Sequence, residues 1–310
     1  MHSILGIRHR GVFRTLNTQR GRESLAGWLL ASPAIIGFLL FNLAPMIASV
    51  LLAFTEWDSV NPPVWIGLAN FERMFVKDEL VLHSLRITTV YALVSVPLNL
   101  VVGFFVAILL NQKMPAQAFV RTLYFLPSVV PAVAVATLWR WLFLKRFGLL
   151  SILLSMVGIA APDFLGDPNW VMPAFIIMSV WGVGGGMLIY LAGLQGIPTD
   201  LYEAAEIDGA NALNRFWHVT VPMMSPQILF NLVMGVIGGL QVFATAMVMT
   251  DGGPRDASLF YMLHLYRNAF EYFRMGYGSA LAVLLFIYIV TLSSLVFRSS
   301  AGWVYYESKR

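Results

Sequence analysis

The sequence contains long runs without a charged residue, and the first of them occupies residues 28–54. A helix over these 27 residues would be about 40 Å long, which exceeds the roughly 30 Å hydrocarbon core of a bilayer. Only 12% of the 310 residues are charged and 58% are hydrophobic, so a water-soluble globule could not bury so much apolar surface. The sequence therefore predicts an integral membrane protein.

The same test selects six segments, and we expect an all-α protein that crosses the membrane six times. The predicted spans are residues 28–54, 87–110, 122–139, 170–197, 226–249 and 275–297. An even number of spans places both termini on one side, and the five Arg near the N-terminus indicate that this side is the cytoplasm. The predicted domains are a basic cytoplasmic tail over residues 1–27, a membrane domain over residues 28–298 that contains a cytoplasmic loop at 198–225, and a cytoplasmic tail over residues 299–310.

Helix-breaking residues lie inside several of these spans. They are Pro45, Pro97, Pro127, Pro131, Gly182 and the three glycines at 184–186. Broken backbone that faced lipid would leave polar groups without hydrogen bonds, so we expect these stretches to face other helices or a water-filled cavity. Ordinary kinks are the alternative, because proline and glycine are common in membrane helices.

The positions of the charges exclude several functions. All 16 carboxylates fall outside the spans, whereas an ion-coupled carrier usually needs an ionisable group within the membrane. No lysine follows a glycine as a phosphate-binding loop requires, no cysteine is present, and no histidine pair has metal-ligand spacing. The net charge of +4 comes from scattered residues, which argues against a nucleic-acid partner. A passive pore remains possible, and so does a transporter that another subunit powers.

The loop between the fourth and fifth predicted spans carries the most local structure. Asp200 and Glu203 have capping-box spacing and predict a short helix that ends at Gly209. Asn211 can begin a second short helix, which we expect Pro222 to end before the next span. The prediction is a cytoplasmic helix-turn-helix, which we call the elbow.

The composition of the elbow favours a docking surface over a solvated connector. Ala204 and Ala205 permit the close approach of a partner, and Glu203 and Glu206 offer charges beside them. A solvated loop rarely keeps four large apolar residues together. The elbow has Ile207, Leu213, Phe216 and Trp217.

The elbow also carries a family resemblance. Glu203-Ala204-Ala205, then Gly209, then Val219-Thr220-Val221-Pro222 resembles the EAA signature of ATP-binding-cassette importer permeases, E-A-A-x3-G-x9-I-x-L-P. The spacing matches throughout, and only Ile and Leu are replaced, both by Val. The resemblance implies the type I importer permease fold, with the elbow as a coupling helix in a groove of the cytoplasmic ATPase. The implied coupling residues are Glu203, Ala204, Ala205, Asp208, Gly209 and Pro222.

Five further stretches are similar to the carbohydrate-uptake branch, which includes the larger maltose permease subunit and the glycerol-3-phosphate permease. They begin at Ser32, Trp65, Arg121, Trp181 and Met249. The resemblance implies three kinds of partner: a second homologous permease, an ATPase dimer that carries ATP and magnesium, and an extracytoplasmic solute-binding protein. It also implies a bacterial or archaeal cytoplasmic membrane and a sugar substrate. We expect no catalytic site, no cofactor site and no metal site in this chain.

The resemblance places the sugar pathway near the membrane midplane. Sugars need hydrogen-bonding groups and an aromatic face, which makes five residues the candidates, with plain packing as the alternative. They are Ser128, Ser179, Trp181, Gln241 and Thr245. Gly239 and Val242 stand where maltose-type relatives are rich in Asn, so the sugar could be held by this subunit or by its partner. Which sugar or polyol is carried stays open.

Two functions from different classes follow. The first is the membrane subunit of an ATP-driven, binding-protein-dependent sugar importer, which alternates its access as the elbow follows the ATPase. The alternative is an autonomous channel or facilitator for small neutral solutes. The two differ in whether they need the elbow.

Overall fold

The computed structural model describes residues 19–305, which are mostly helical. The helices are α1 (Gln19–Phe38), α2 (Ala44–Leu52), α3 (Ala69–Glu72), α4 (Glu79–Asn111), α5 (Gln117–Val129), α6 (Ala132–Leu142), α7 (Leu149–Met156), α8 (Pro168–Trp181), α9 (Gly184–Gln195), α10 (Thr199–Ile207), α11 (Ala212–Arg215), α12 (Val221–Leu240), α13 (Ala244–Met249), α14 (Tyr261–Tyr266) and α15 (Met275–Ser300). Two short strands, β1 (Thr55–Glu56) and β2 (Val64–Trp65), pair antiparallel. Most of the predicted N-terminal tail (residues 1–18) and the end of the C-terminal tail (306–310) lie outside the described residues.

Four continuous helical stretches are long and apolar enough to cross a bilayer. They are Ala26–Leu52, Glu79–Asn111, Ala212–Leu240 and Met275–Ser300. Two more stretches pass the same test only as bent pairs, α5 with α6 and α8 with α9. Residues 19–305 therefore contain four candidate spans, or up to six if each bent pair crosses once.

The two bends lie at helix breakers that the sequence had suggested. The pair α5 and α6 is bent by 99° at Pro131, and α8 and α9 are bent by 43° at Gly182. The residue before a proline is disfavoured in helical geometry, and Val130 is extended (φ −72°, ψ 133°). Pro97 and Pro127, in contrast, lie inside uninterrupted helices.

Pro222 does not end a helix, contrary to the prediction. It follows a π-helical turn, Phe216–Thr220, in which hydrogen bonds reach back five residues: the Val221 N–H donates to the Phe216 carbonyl. Because the wider turn changes which carbonyl lies opposite the proline ring, the helix continues past it. Pro45 also follows a π-helical turn, Leu39–Leu43, and is tolerated in the same way.

The fifth predicted span is therefore displaced along the chain. We expected a span over residues 226–249, but the continuous helix is Ala212–Leu240 and begins within the elbow. It ends after Gly238 and Gly239, the weakest helix formers in the segment apart from proline, and α13 is a separate short helix.

Helix α4 lies at the centre of the bundle, where it packs against α8, α9, α12 and α14. One apolar cluster joins Phe104 and Leu110 of α4 to α9 and to Met224 at the start of α12, close to the elbow. Another cluster, around Phe143 and Phe175, fills the opposite end. The first helix differs from these, because no residue in 26–52 is buried.

At the end opposite the elbow, Asp78 joins three helices. Its Oδ1 accepts the Leu80 N–H (3.1 Å) and so caps α4. Its Oδ2 accepts the Tyr277 hydroxyl of α15 (2.7 Å) and lies 3.1 Å from Nε2 of His264 on α14. The His264 side chain is only 6% exposed, so this contact is buried.

His264 should make the stability of the fold depend on pH. Burial lowers the pKa of His264, although Asp78 opposes that shift. The unfolded chain therefore takes up the proton first as the pH falls through about 6.5, and stability is lost below that value. We expect the unfolding temperature of wild type to fall between about pH 8 and about pH 5, and His264→Gln to flatten that slope. The control is the exposed His83→Gln, and an equal slope in His264→Gln would contradict the assignment.

Candidate coupling surface and midplane cavity

The first half of the elbow is α10, which ends as the sequence indicated. Gly209 has φ +79°, the Ala210 N–H donates to the Ala205 carbonyl (2.9 Å), and the Gly209 N–H donates to Glu206 (3.0 Å). This hydrogen-bond pattern is the Schellman cap, which favours glycine at the left-handed residue. The capping box at the other end is not formed, because the N-cap is Pro198, two residues before Asp200. Asp200 lies in the first turn, where a carboxylate is favourable to the helix dipole.

The second half of the elbow is continuous with the membrane helix. Asn211 caps α11 as predicted, its Oδ1 accepting the Asn214 N–H (2.9 Å), and α11 passes through the π-helical turn into α12. Two side-chain contacts tie the halves together. An ion pair joins Arg215 to Glu206, and the Tyr202 and Thr220 hydroxyls lie 3.0 Å apart.

Phe216 fixes the elbow against the bundle. Its ring lies 6.1 Å from that of Phe104 and 6.5 Å from that of Phe105, both on α4, and 5.0 Å from Trp217. Phe104 and Phe216 belong to the apolar cluster between α4 and α9. The elbow is therefore connected to α4 through the Phe216 ring and to α12 through the backbone.

The predicted coupling residues lie together, with one exception. Glu203, Ala204, Asp208 and Gly209 are exposed on α10 and its cap, and Ala205 is half-buried. Pro222 is half-buried within α12 and is not part of this surface. Large apolar side chains of the elbow are also exposed to solvent, and Ile207 at the end of α10 is 87% exposed. Such a concentration is typical of a protein interaction surface.

A cavity of about 320 Å³ lies among α4, α8, α9 and α12, where α8 and α9 meet at the bend. Its polar lining is Tyr91, Ser95, Asn99, Ser179, Tyr190 and Asn231. Asn99 Nδ2 donates to Ser179 Oγ (3.3 Å). The buried Tyr190 hydroxyl lies near Asn231 but makes no hydrogen bond of good geometry within residues 19–305. Glycines keep the space open, since a Cβ on Gly186 would lie 3.1 Å from Asn231 Oδ1.

Only one of the five predicted pathway residues, Ser179, lines this cavity. Ser128 is exposed on α5, where it donates to the Phe125 carbonyl (2.7 Å), and Trp181 packs on Trp139 with ring centroids 6.2 Å apart. Gln241 and Thr245 lie at and beyond the end of α12, outside the cavity lining.

The sequence reasoning missed Asn99 and Asn231. The available signal was an amide side chain inside an uncharged span, since a polar group there is costly unless it faces the bundle interior. Gly239 and Val242 also line the cavity.

A second, larger cleft of about 1040 Å³ opens at the end opposite the elbow. It is lined by both aromatic and charged side chains, which include Trp57, Arg73, Asp78, Arg267, Tyr272 and Tyr277. Arg73 lies over the ring of Tyr277 (4.9 Å), and Arg267 pairs with Asp251 (3.0 Å). Within residues 19–305, no three His, Asp or Glu side chains are grouped so that they could hold a metal ion.

Comparisons with known proteins agree with this architecture. Residues 99–304 match the family described as binding-protein-dependent transport system inner membrane component. The chain is 43% identical over 292 residues to the probable ABC transporter permease protein YesP of Bacillus subtilis, covering 93% of this chain and 94% of the relative. It is 32% identical over 283 residues to the trehalose/maltose transport system permease protein MalF of Thermococcus litoralis, covering 88% and 92%. Its fold is similar to that of a bacterial ABC transporter involved in the import of the acidic polysaccharide alginate, with a TM-score of 0.79, 24% identity and coverage of 92% and 99%.

Proposed function

This chain belongs to the family of binding-protein-dependent transport system inner membrane components, and on that premise we propose that it is the permease subunit of an ATP-driven sugar importer. Relatives named for trehalose/maltose and for lactose transport support the choice of sugar. We propose that each bent pair crosses the membrane once, which gives six spans within residues 28–298. Both termini and the elbow then face the cytoplasm of a bacterial or archaeal cell, as the N-terminal Arg cluster favours.

The proposed energy source is a cytoplasmic ATPase dimer that holds ATP and magnesium and docks on the elbow. The ATPase would contact an exposed apolar surface on the elbow, which consists of Ile207, Leu213 and Trp217 beside the small Ala204. The mechanism is supported by one observation, that residues Ala212–Leu240 form a continuous helix. This helix begins in the elbow, and its residues Asn231 and Gly235 line the cavity. A movement of the elbow would therefore move one wall of the cavity.

The proposed substrate site is the midplane cavity. Amide and hydroxyl groups suit the hydroxyls of a sugar, and no side chain that lines the cavity in the described region is charged, which favours a neutral substrate. The unpartnered Tyr190 hydroxyl would gain a hydrogen bond from the sugar. The pathway would lie between this chain and a second, homologous permease, each supplying half of its wall.

We propose that the solute-binding protein delivers the sugar at the cleft opposite the elbow. The cleft is lined by cations, carboxylates and aromatic rings, a composition that suits a polar, reversible protein contact. It opens on the side that faces away from the proposed ATPase, where a captured solute must enter.

Asn231 is the residue with which we test the cavity. We expect Asn231→Ala to weaken the apparent affinity for sugar by roughly tenfold, because one hydrogen bond to the substrate is lost and its partner is left unsatisfied. The measurement is ATP-dependent sugar uptake in proteoliposomes that contain both permeases, the ATPase and the binding protein. Asn169→Ala, at the exposed start of α8, is the matched control. Unchanged affinity in Asn231→Ala would place the sugar elsewhere.

The facilitator alternative predicts a different result in the same vesicles. We expect this chain to take up no sugar when the ATPase is omitted or ATP is withheld, because in the proposed mechanism the pathway opens only when the ATPase moves the elbow. A control with every subunit and ATP must show uptake. Sugar equilibration by the isolated chain would instead identify an autonomous facilitator.

A further inference from the structure

Helix α7 is apolar on two opposite faces. Leu150 and Leu154 pack inward against the apolar cluster at the end opposite the elbow, and Ser151 is buried beside them. The outward face is apolar as well, and Met156 is 76% exposed. Eight residues make a helix about 12 Å long, too short to cross a bilayer, yet a helix that is hydrophobic all round is not stable in water. These properties indicate a helix that lies at a membrane surface.

Between α7 and α8 the structure forms an apolar pocket of about 430 Å³. Its lining includes Leu150, Leu154, Ile159, Phe164, Trp170 and Ile177. Trp170 and Ile177 are two turns apart on α8, so the pocket extends about 10 Å along that helix. Because α8 is part of a candidate span, the pocket follows part of a segment that could lie within the membrane.

Lys145 lies beside the lining of this pocket, and Arg146 follows it in the chain. Lys145 Nζ is 3.4 Å from the carboxylate of Asp163, the residue before Phe164 of the lining. The neighbouring Arg146 is exposed and has no ion pair among residues 19–305. Trp141 and Trp170, both exposed, lie at the same end, which is typical of residues at the headgroup level of a membrane.

We propose that this pocket holds one acyl chain of an anionic phospholipid from the leaflet opposite the elbow, with the lipid phosphate facing Arg146. The elongated apolar shape fits a chain of methylene groups, and the free cation complements a phosphodiester. A peptide segment of another subunit would bring backbone polar groups into a pocket whose lining offers the Trp170 indole as a donor and no side-chain acceptor. The lipid would complete the packing between α7 and α8.

The first test labels the site in the assembled transporter. The probe is phosphatidylglycerol with a photoreactive group in one acyl chain, mixed as a minor component into phosphatidylcholine nanodiscs. We expect labelled peptides to concentrate in residues 150–177. Ala160, in the loop after α7, lines the pocket, so Ala160→Trp should fill it and lower that labelling roughly tenfold. Ser155→Trp, on the exposed side of α7 and outside the pocket lining, should leave the labelling unchanged.

Other outcomes would overturn the proposal. Labelling spread evenly over residues 26–52 and the remaining surface would mean annular lipid only. Labelling that persists in Ala160→Trp would show that the lipid does not bind in the pocket. A crosslink from α7 to another protein subunit, in place of lipid, would identify a subunit interface.

The second test concerns the lipid headgroup. It does not depend on the Ala160→Trp variant that fills the pocket. We expect wild type to be labelled more strongly by the phosphatidylglycerol probe than by a phosphatidylcholine probe with the same acyl chain. Arg146→Gln should abolish that preference, and the exposed Arg255→Gln at the same end should preserve it. Equal labelling of wild type by the two probes would exclude an anionic lipid. Sugar uptake is not the readout, so the result is independent of the proposed function.

Discussion

Gly209→Asp should leave the permease folded and in the membrane but release its ATPase. Gly209 has a positive φ, and no atom lies within 4 Å of the position that its Cβ would occupy, so a short side chain fits the free protein. In the assembled importer the same carboxylate would be buried without a partner against the ATPase groove. An unpaired buried charge costs about 3 kcal/mol or more, which corresponds to roughly hundredfold weaker binding.

Gly209→Asn is the matched control, since Asn has nearly the shape of Asp and tolerates the left-handed conformation without bringing charge. Co-purification of the ATPase with the tagged permease measures the interaction, and ATP-dependent uptake measures coupling. We expect the Asn variant to retain most of both. If Asp and Asn behaved alike, backbone strain and not charge would explain the defect; if Asp retained its ATPase, the elbow would not be the docking site.

Gly184→Ala should strongly destabilise the fold, although it adds one methyl group. The backbone of α9 approaches that of α5 so closely that a Cβ on Gly184 would overlap the Tyr124 carbonyl oxygen and lie 2.9 Å from the Phe125 Cα. Neither contact can be relieved by a side-chain rotation, so the helices must separate at a cost of about 3 kcal/mol. We expect a lower unfolding temperature and little protein at the membrane.

The next residue supplies the control for that change. A Cβ on Gly185 would lie 3.9 Å from the Ser128 Cβ, an ordinary contact. Both substitutions bring the same gain in helix propensity, so the difference between them isolates the overlap. Equal thermal stability of the two variants, measured in the same detergent, would contradict the close approach of α5 and α9.

The sequence could predict the helices because each long helix leaves an uncharged run. It could also predict the end of α10, since Gly209 is the residue that a left-handed cap favours. It could not predict which prolines bend the chain. Pro97 and Pro131 look equivalent in the sequence, yet only Pro131 stands at a break, because neighbouring helices and the preceding residue decide whether the backbone is supported.

The candidate site was harder to predict for a similar reason. Ser128, Gln241 and Thr245 have suitable chemistry at about the right depth, but the cavity is defined by which faces of four helices meet. That meeting depends on the bend at Gly182 and on the displaced start of the fifth helix, neither of which follows from hydropathy. In the sequence Asn99 and Asn231 are only amides inside uncharged spans, and the assembled helix faces bring them to one cavity.

The π-helical turn at Phe216–Thr220 has a geometric consequence for transport. Each residue of a helix rotates its side chain by about 100° around the axis, so the number of residues between two points fixes their relative direction. The elbow and the cavity wall lie on one continuous helix, and the wide turn sets the angle between the face of α11 and the direction of Asn231. Removing one residue there would turn the elbow by about 100° relative to the cavity while leaving every contact surface chemically intact. The proposed coupling would therefore depend on the angle between the face of α11 and the direction of Asn231. The number of residues between them sets that angle, and no single side chain does.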